Sequence, residues 1–186
     1  MGSFLYLCIP GLIVIAICGF VKRRRQPKEI TPDEVPELVR NELQRRVPDL
    51  DIDRVIQKPH SFRFNGRVQG VERQVKIKLQ GSRSRQRIYK VQIQLETRSA
   101  YRSLKGKHEI DQRDVPNIVL ENARLAAEKY AEPFEKISRV KAATVQGRNA
   151  FDIRAWIGEW RFEVELLDDG EILEVELDFR PDGPRR

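Results

Sequence analysis

Cysteine is almost absent from this chain: two occur among 186 residues, Cys8 and Cys18, and both lie inside one apolar run near the amino end. That excludes a disulfide framework and a thiolate metal site in any folded part. Histidine is equally scarce. His60 and His108 are the only two, and neither stands beside a second ligand-type residue at metal spacing. His108 falls in the polar stretch Gly106-Lys107-His108-Glu109, where Gly106-Lys107 is no phosphate loop. Tyr101 occupies the place of that motif's first glycine, and no Ser or Thr follows the lysine. Asp168 and Asp169 could pass for a paired carboxylate, but with Gly170 behind them they are turn formers. No nucleophile has a visible base, so the chain reads as a non-enzyme with no cofactor and no metal. Aromatic residues make up only 8%, and Trp156 and Trp160 suit core or sheet-face packing.

One long hydrophobic run is present. Phe4 to Val21 is eighteen residues without a charge, and as a helix it reaches about 27 Å, near the thickness of a thin hydrocarbon core. A cleaved signal peptide is the rival reading. It needs a positive amino-terminal region and a small-x-small cleavage site, and the run has only the α-amino group and a weak Ala16-Ile17-Cys18 match. Neither cysteine has a lipobox, and Tyr6 spoils a myristoylation signal. Residues 4–21 therefore read as a transmembrane helix and 22–30 as a basic juxtamembrane linker. Lys22, Arg23, Arg24 and Arg25 act as a topology signal, expected to hold the amino end outside and the remaining domain in the cytoplasm. An exported domain is the alternative localisation.

Beyond the linker, helical and strand patterns alternate. Val35, Leu38, Val39, Leu43 and Val47 share a helical face that opens at Thr31-Pro32-Asp33-Glu34, a capping-box sequence, and ends at Pro48. A second helix is expected from Asp114, with Val115, Ile118, Val119, Leu125, Ala126 and Tyr130 as its stripe and Pro133 as its end. Period-two alternation predicts strands around Val75-Ile77-Leu79, Tyr89-Val91-Ile93-Leu95, Phe151-Ile153, Trp160-Phe162-Val164-Leu166 and Leu173-Val175-Leu177-Phe179. Residues between them, such as Lys76, Lys78 and Glu165, should face water. Three blocks recur in order: Val35-Pro36 with Val115-Pro116, Ile52-Asp53-Arg54-Val55 with Ile137-Ser138-Arg139-Val140, and Tyr89–Ile93 with Phe162–Leu166. The expected fold is α+β and duplicated: the transmembrane helix, then helix-on-antiparallel-sheet units at 31–107 and 108–180, and a tail at 181–186.

The Val-Pro helix start, the closing proline, the Ile-x-Arg-Val strand and the run from Trp160 to Asp178 together resemble PepSY and PepSY-like domains. These share a helix-on-sheet fold with small β-lactamase-inhibitor proteins. The resemblance covers residues 31–97 and again 111–180. It implies a non-catalytic binding or inhibitory module, here membrane-tethered, with a protein partner of unknown identity. Such domains usually lie outside the cytoplasm, in tension with the flanking charges.

Charge is segregated. The chain carries +7 overall, yet residues 58–107 hold fourteen Lys and Arg against two acidic residues, a local net of +12, and residues 150–186 hold five against eleven, a net of −6. Lys76, Lys78, Arg83, Arg85, Arg87 and Lys90 form a candidate surface for an anionic partner. Three readings compete: a solvated face partly neutralised by the acidic half, docking on anionic lipid, and nucleic-acid binding, with an acidic protein partner as the remainder. Nucleic acid is weak among them, because aromatics are poorly interleaved with the cations. A basic adaptor working through residues 58–107 is the alternative function.

Overall fold

The computed structural model describes residues 26–82, 85–95 and 104–181. Within them a strand, a 3₁₀ turn, a helix and four more strands follow one another, and the same series then repeats. The first series is β1 (Lys28–Ile30), the turn Pro32–Glu34, α1 (Glu37–Arg46), β2 (Asp51–Lys58), β3 (Ser61–Val68), β4 (Val71–Gln80) and β5 (Arg87–Gln94). The second is β6 (Lys105–Glu109), the turn Gln112–Asp114, α2 (Asn117–Tyr130), β7 (Ile137–Val145), β8 (Arg148–Ile157), β9 (Trp160–Leu167) and β10 (Ile172–Phe179).

The ten strands form one antiparallel sheet in the order β1-β2-β3-β4-β5-β10-β9-β8-β7-β6. This overturns the expected architecture of a transmembrane helix followed by two separate helix-on-sheet units. The last strands of the two series pair with each other, from Gln94 opposite Glu174 to Lys90 opposite Asp178. A four-stranded meander leaves its final strand with a row of unpaired N–H and C=O groups. Joining the two meanders at that edge satisfies both rows and fuses their cores into one, with Val75, Ile77, Val91 and Ile93 in the same cluster as Phe162, Val164, Val175 and Leu177. The expected boundary at 107/108 falls inside β6, and the expected linker contains β1.

Among the described residues no helix is long and apolar enough to cross a membrane. Within the described residues, therefore, nothing supports the transmembrane, single-pass description or the cytoplasmic-side localisation derived from it. The run Phe4–Val21 and the cluster Lys22, Arg23, Arg24 and Arg25 lie outside the described residues.

Both helices start later than their capping signals suggest. Glu34 does accept a hydrogen bond from the Thr31 backbone N–H at 2.9 Å, but the turn it closes is a single 3₁₀ turn. Val35 and Val115 are then extended (ψ 130° and 133°), and Pro36 and Pro116 cap the α-helices. The prolines are the cause: the residue before a proline is pushed out of the helical region by the ring, and the ring nitrogen has no proton to donate. The Ile-x-Arg-Val blocks each carry a register shift, between Ile52 and Arg54 in β2 and between Ile137 and Arg139 in β7. One extra residue explains how Ile and Val, three apart, both turn inward on a strand of period two. The third repeated block does not superpose in topology: Tyr89–Ile93 lies in the last strand of its series, Phe162–Leu166 in the penultimate one.

The helices lie on one sheet face, burying Val39 and Leu43 from α1 and Val119, Ala123, Ala126, Ala127 and Tyr130 from α2. Their carboxyl ends meet. Buried Arg46 donates to the Tyr130 carbonyl at 3.0 Å, binds Glu42 at 2.8 Å and sits over the Trp160 ring at 5.9 Å. Leu38, Ile118 and Leu125, expected in the stripes, are exposed. The β9–β10 turn is Asp168-Asp169-Gly170 as predicted, with Gly170 at φ +88°. Arg148 holds Asp169 at 2.5 Å and Asp168 at 3.5 Å.

Candidate functional site

Alternation along the strands puts every second side chain on the face opposite the helices. Cross-strand register assembles these into rows. One row runs Arg63, Lys76, Gln92, Glu176, Glu163, Arg154, Arg139 from β3 to β7. Its neighbour runs Lys58, Ser61, Lys78, Lys90, Asp178, Arg161, Trp156. A third runs Asn65, Gln74, Gln94, Glu174, Glu165, Asp152, Lys141. The face is thus basic over β2–β4, amide-rich around β5, and mixed in charge over β7–β10.

The carboxylates of the mixed part are held within the chain. Arg154 grips Glu163 with both oxygens at 3.0 and 3.1 Å. Arg161 and Arg180 converge on Asp178 at 2.8 and 2.7 Å. Lys107 bridges Asp152 and Glu165 at 2.9 and 3.0 Å. Burial opposes the Lys107 charge, but the hydrogen bonds and charges of these two carboxylates outweigh it and hold its pKa above the usual lysine value. Asp152 and Asp178 are only 3% and 5% exposed, so their charges depend on these partners. Lys90 crosses the β5–β10 seam to Glu176 at 2.5 Å.

The basic part has no such compensation. Among the described residues Lys58, Arg63, Lys76 and Lys78 take part in no ion pair. The pKa of Lys76 is lowered, first by burial and then by the charges of Lys78, Arg63, Lys58 and Lys90. Like charges on adjacent strands are mutually destabilising.

A groove of about 1180 Å³ crosses this face at its Lys78–Asp178–Trp156 end. Its walls come from six neighbouring strands, β4 to β7, which on spacing alone cover roughly 24 Å. Seven cations line it (Lys78, Arg87, Lys90, Arg139, Arg154, Arg161, Arg180), with Asp178 the sole lining carboxylate and Tyr89, Trp156 and Phe179 its aromatics. Arg87 stacks on Phe179 at 5.2 Å.

Of the six expected surface residues, Lys76, Lys78 and Lys90 lie on this face. Arg87 stands at the groove's rim, Arg85 belongs to the exposed β4–β5 loop, and Arg83 lies outside the described residues. Sequence reasoning missed Arg63, whose place between Phe62 and Phe64 marks it as outward. It also missed the contribution of Arg139, Arg154, Arg161 and Arg180 from the acidic half, since net charge hides cations among carboxylates. Trp156 faces the groove, whereas Trp160 packs edge-on against Phe179 at 5.3 Å. His60 lines the groove and His108 contacts the Gly106 carbonyl at 3.2 Å. Among the described residues no group of three His, Cys, Asp or Glu could hold a metal.

No family model matches the chain, and no curated protein matches it. Solved structures similar to it include two from Bacteroides species. A BLIP-like protein from Bacteroides fragilis is 12% identical with a TM-score of 0.30, over 81% of this chain and 92% of that one. A DUF2874 family protein from Bacteroides uniformis is 14% identical with a TM-score of 0.28, over 76% and 88%. Likeness of this degree leaves function to be argued from the chain's own geometry.

Proposed function

We propose that this chain is a non-catalytic binding module that holds a partner protein in the groove on the helix-free sheet face. The observation that carries the reading is the groove's lining: seven cations around three aromatic rings, on a surface built from six strands. Concave sites with a few convergent polar groups and exposed rings are where partners dock, because aromatic side chains contribute large area at little entropic cost. The lining supplies charge and shape but groups no nucleophile with a base.

A photo-crosslinking comparison tests this. Trp156 is replaced by p-benzoylphenylalanine in one variant, and Leu125, exposed on α2, in another. Illumination in a lysate should give a discrete protein adduct from the groove position and none from the helix position. Adducts from Leu125 alone would move the binding surface to the helices and overturn the reading.

A further inference from the structure

The two halves of the open face differ in a way that net charge does not reveal. Over β7–β10 the carboxylates are consumed by Arg154, Arg161, Arg180 and Lys107 at 2.7–3.1 Å. They are not free to neutralise the cations of β2–β4, and across the seam Lys90 of β5 holds Glu176 while the Gln92 amide donates to Glu174. Lys58, Arg63, Lys76 and Lys78 are left as a contiguous cluster: Arg63 is the cross-strand partner of Lys76, and Lys78 follows two residues along the same strand. Folding has placed four cations side by side with no ion-pair partner among the described residues, beside the groove in which a partner is proposed to sit.

We infer that Lys58, Arg63, Lys76 and Lys78 receive an acidic segment of the partner protein, which lies extended across β2–β4 with its carboxylates over these four cations. The inference rests on the groove reading above and names the chemistry of what enters it. Arg63 and Lys76 share one cross-strand row, and Lys58 and Lys78 the next, so a segment crossing the strands between the two rows has cations on both sides. A bilayer is disfavoured because Arg63, Lys76 and Lys78 are half-buried among their neighbours, where the headgroups of a flat surface meet them less fully than a single extended chain does. A nucleic-acid strand is disfavoured because a uniformly charged backbone continuing along the rows would run its phosphates onto Glu176 and Asp178. A polypeptide can be acidic over β2–β4 and neutral beyond.

The test uses the full chain and three probes: a fluorescent peptide of alternating Glu and Thr with six glutamates, an oligothymidylate of equal formal charge, and vesicles containing phosphatidylglycerol. The peptide should bind at low salt, weaken as salt rises, and bind about tenfold more weakly to Lys76→Gln/Lys78→Gln, at a few-fold per exposed pair removed. Lys76→Arg/Lys78→Arg, which keeps both charges, should retain the affinity, and so separates loss of charge from loss of fold. The inference is overturned if the peptide does not bind at low salt. It is equally overturned if the glutamine variant binds unchanged, or if oligothymidylate or the vesicles bind as tightly as the peptide. Failure of the peptide with crosslinking at position 156 intact sinks this inference alone. Loss of crosslinking sinks the groove reading itself.

Discussion

Lys76 and Ile77 are chain neighbours in the middle of β4, and the pleat sends them to opposite faces, so one pair of substitutions probes both. Ile77 is fully buried between its cross-strand partners Phe62 and Val91. Ile77→Ala removes buried methyl and methylene groups and leaves a cavity between packed neighbours, at a cost of about 2–5 kcal/mol. For a domain of this size about 1 kcal/mol moves Tm by about 2–4 °C, so a loss of about 3 kcal/mol lowers Tm by about 6–12 °C. Lys76→Gln should do the opposite. Lys76 has no ion-pair partner among the described residues and is repelled by Lys78, Arg63, Lys58 and Lys90, so its removal should leave stability unchanged or slightly raised, within about 0.5 kcal/mol. pH supplies a second signature. Burial and like charges depress the Lys76 pKa, so charging it costs more in the folded state than in the unfolded chain. Wild-type stability should therefore gain as pH rises through the depressed value toward 10.5, and Lys76→Gln should lack that gain. Urea unfolding followed by Trp156 and Trp160 fluorescence measures all three quantities. A loss in Lys76→Gln comparable to that in Ile77→Ala would refute the reasoning, since it would mean that Lys76 has a stabilising partner within the fold.

Lys107→Met should destabilise by a few kcal/mol, because it strands buried Asp152 without its cation; a melting temperature equal to wild type would show that Asp152 is satisfied otherwise. Glu165→Lys, harmless on alternation alone, should also destabilise, since it sets a new cation against Lys107; calorimetry decides. Asp111 is held at a pKa of about 2 by hydrogen bonds from the Arg113 side chain and backbone, so its contribution is present above the ordinary carboxylate value and is lost as pH falls through about 2. An NMR titration should find that midpoint move toward 3.8 in Arg113→Ala. Gly170→Ala should cost about 1–2 kcal/mol, because the position has φ +88° and the new Cβ would fall 2.2 Å from the Asn122 amide nitrogen; unchanged urea denaturation would contradict that geometry.

The strand faces were legible from residue types alone. Water excludes Val75, Ile77, Val91, Phe162 and Val164 and accepts the polar residues between them, so a period-two pattern names the buried face without reference to any partner strand. The β9–β10 turn was legible for a similar reason, since Gly170 supplies locally the positive φ that the turn demands. Helix starts were only half legible. Thr31 and Glu34 make their local bond, but the proline two residues on decides where the α-helix begins. The joining of the halves was not legible at all. β5 and β10 carry the same alternation as any strand with one covered face, and nothing local distinguishes a sheet edge that stays open from one that finds a mate more than eighty residues away. The sequence alone therefore determined which apolar strand residues are inside and how much charge each half carries. Only the tertiary structure decided which charges meet: long-range pairing set Lys90 against Glu176, Arg161 against Asp178 and Lys107 against Asp152, and left Lys58, Arg63, Lys76 and Lys78 without an ion pair among the described residues.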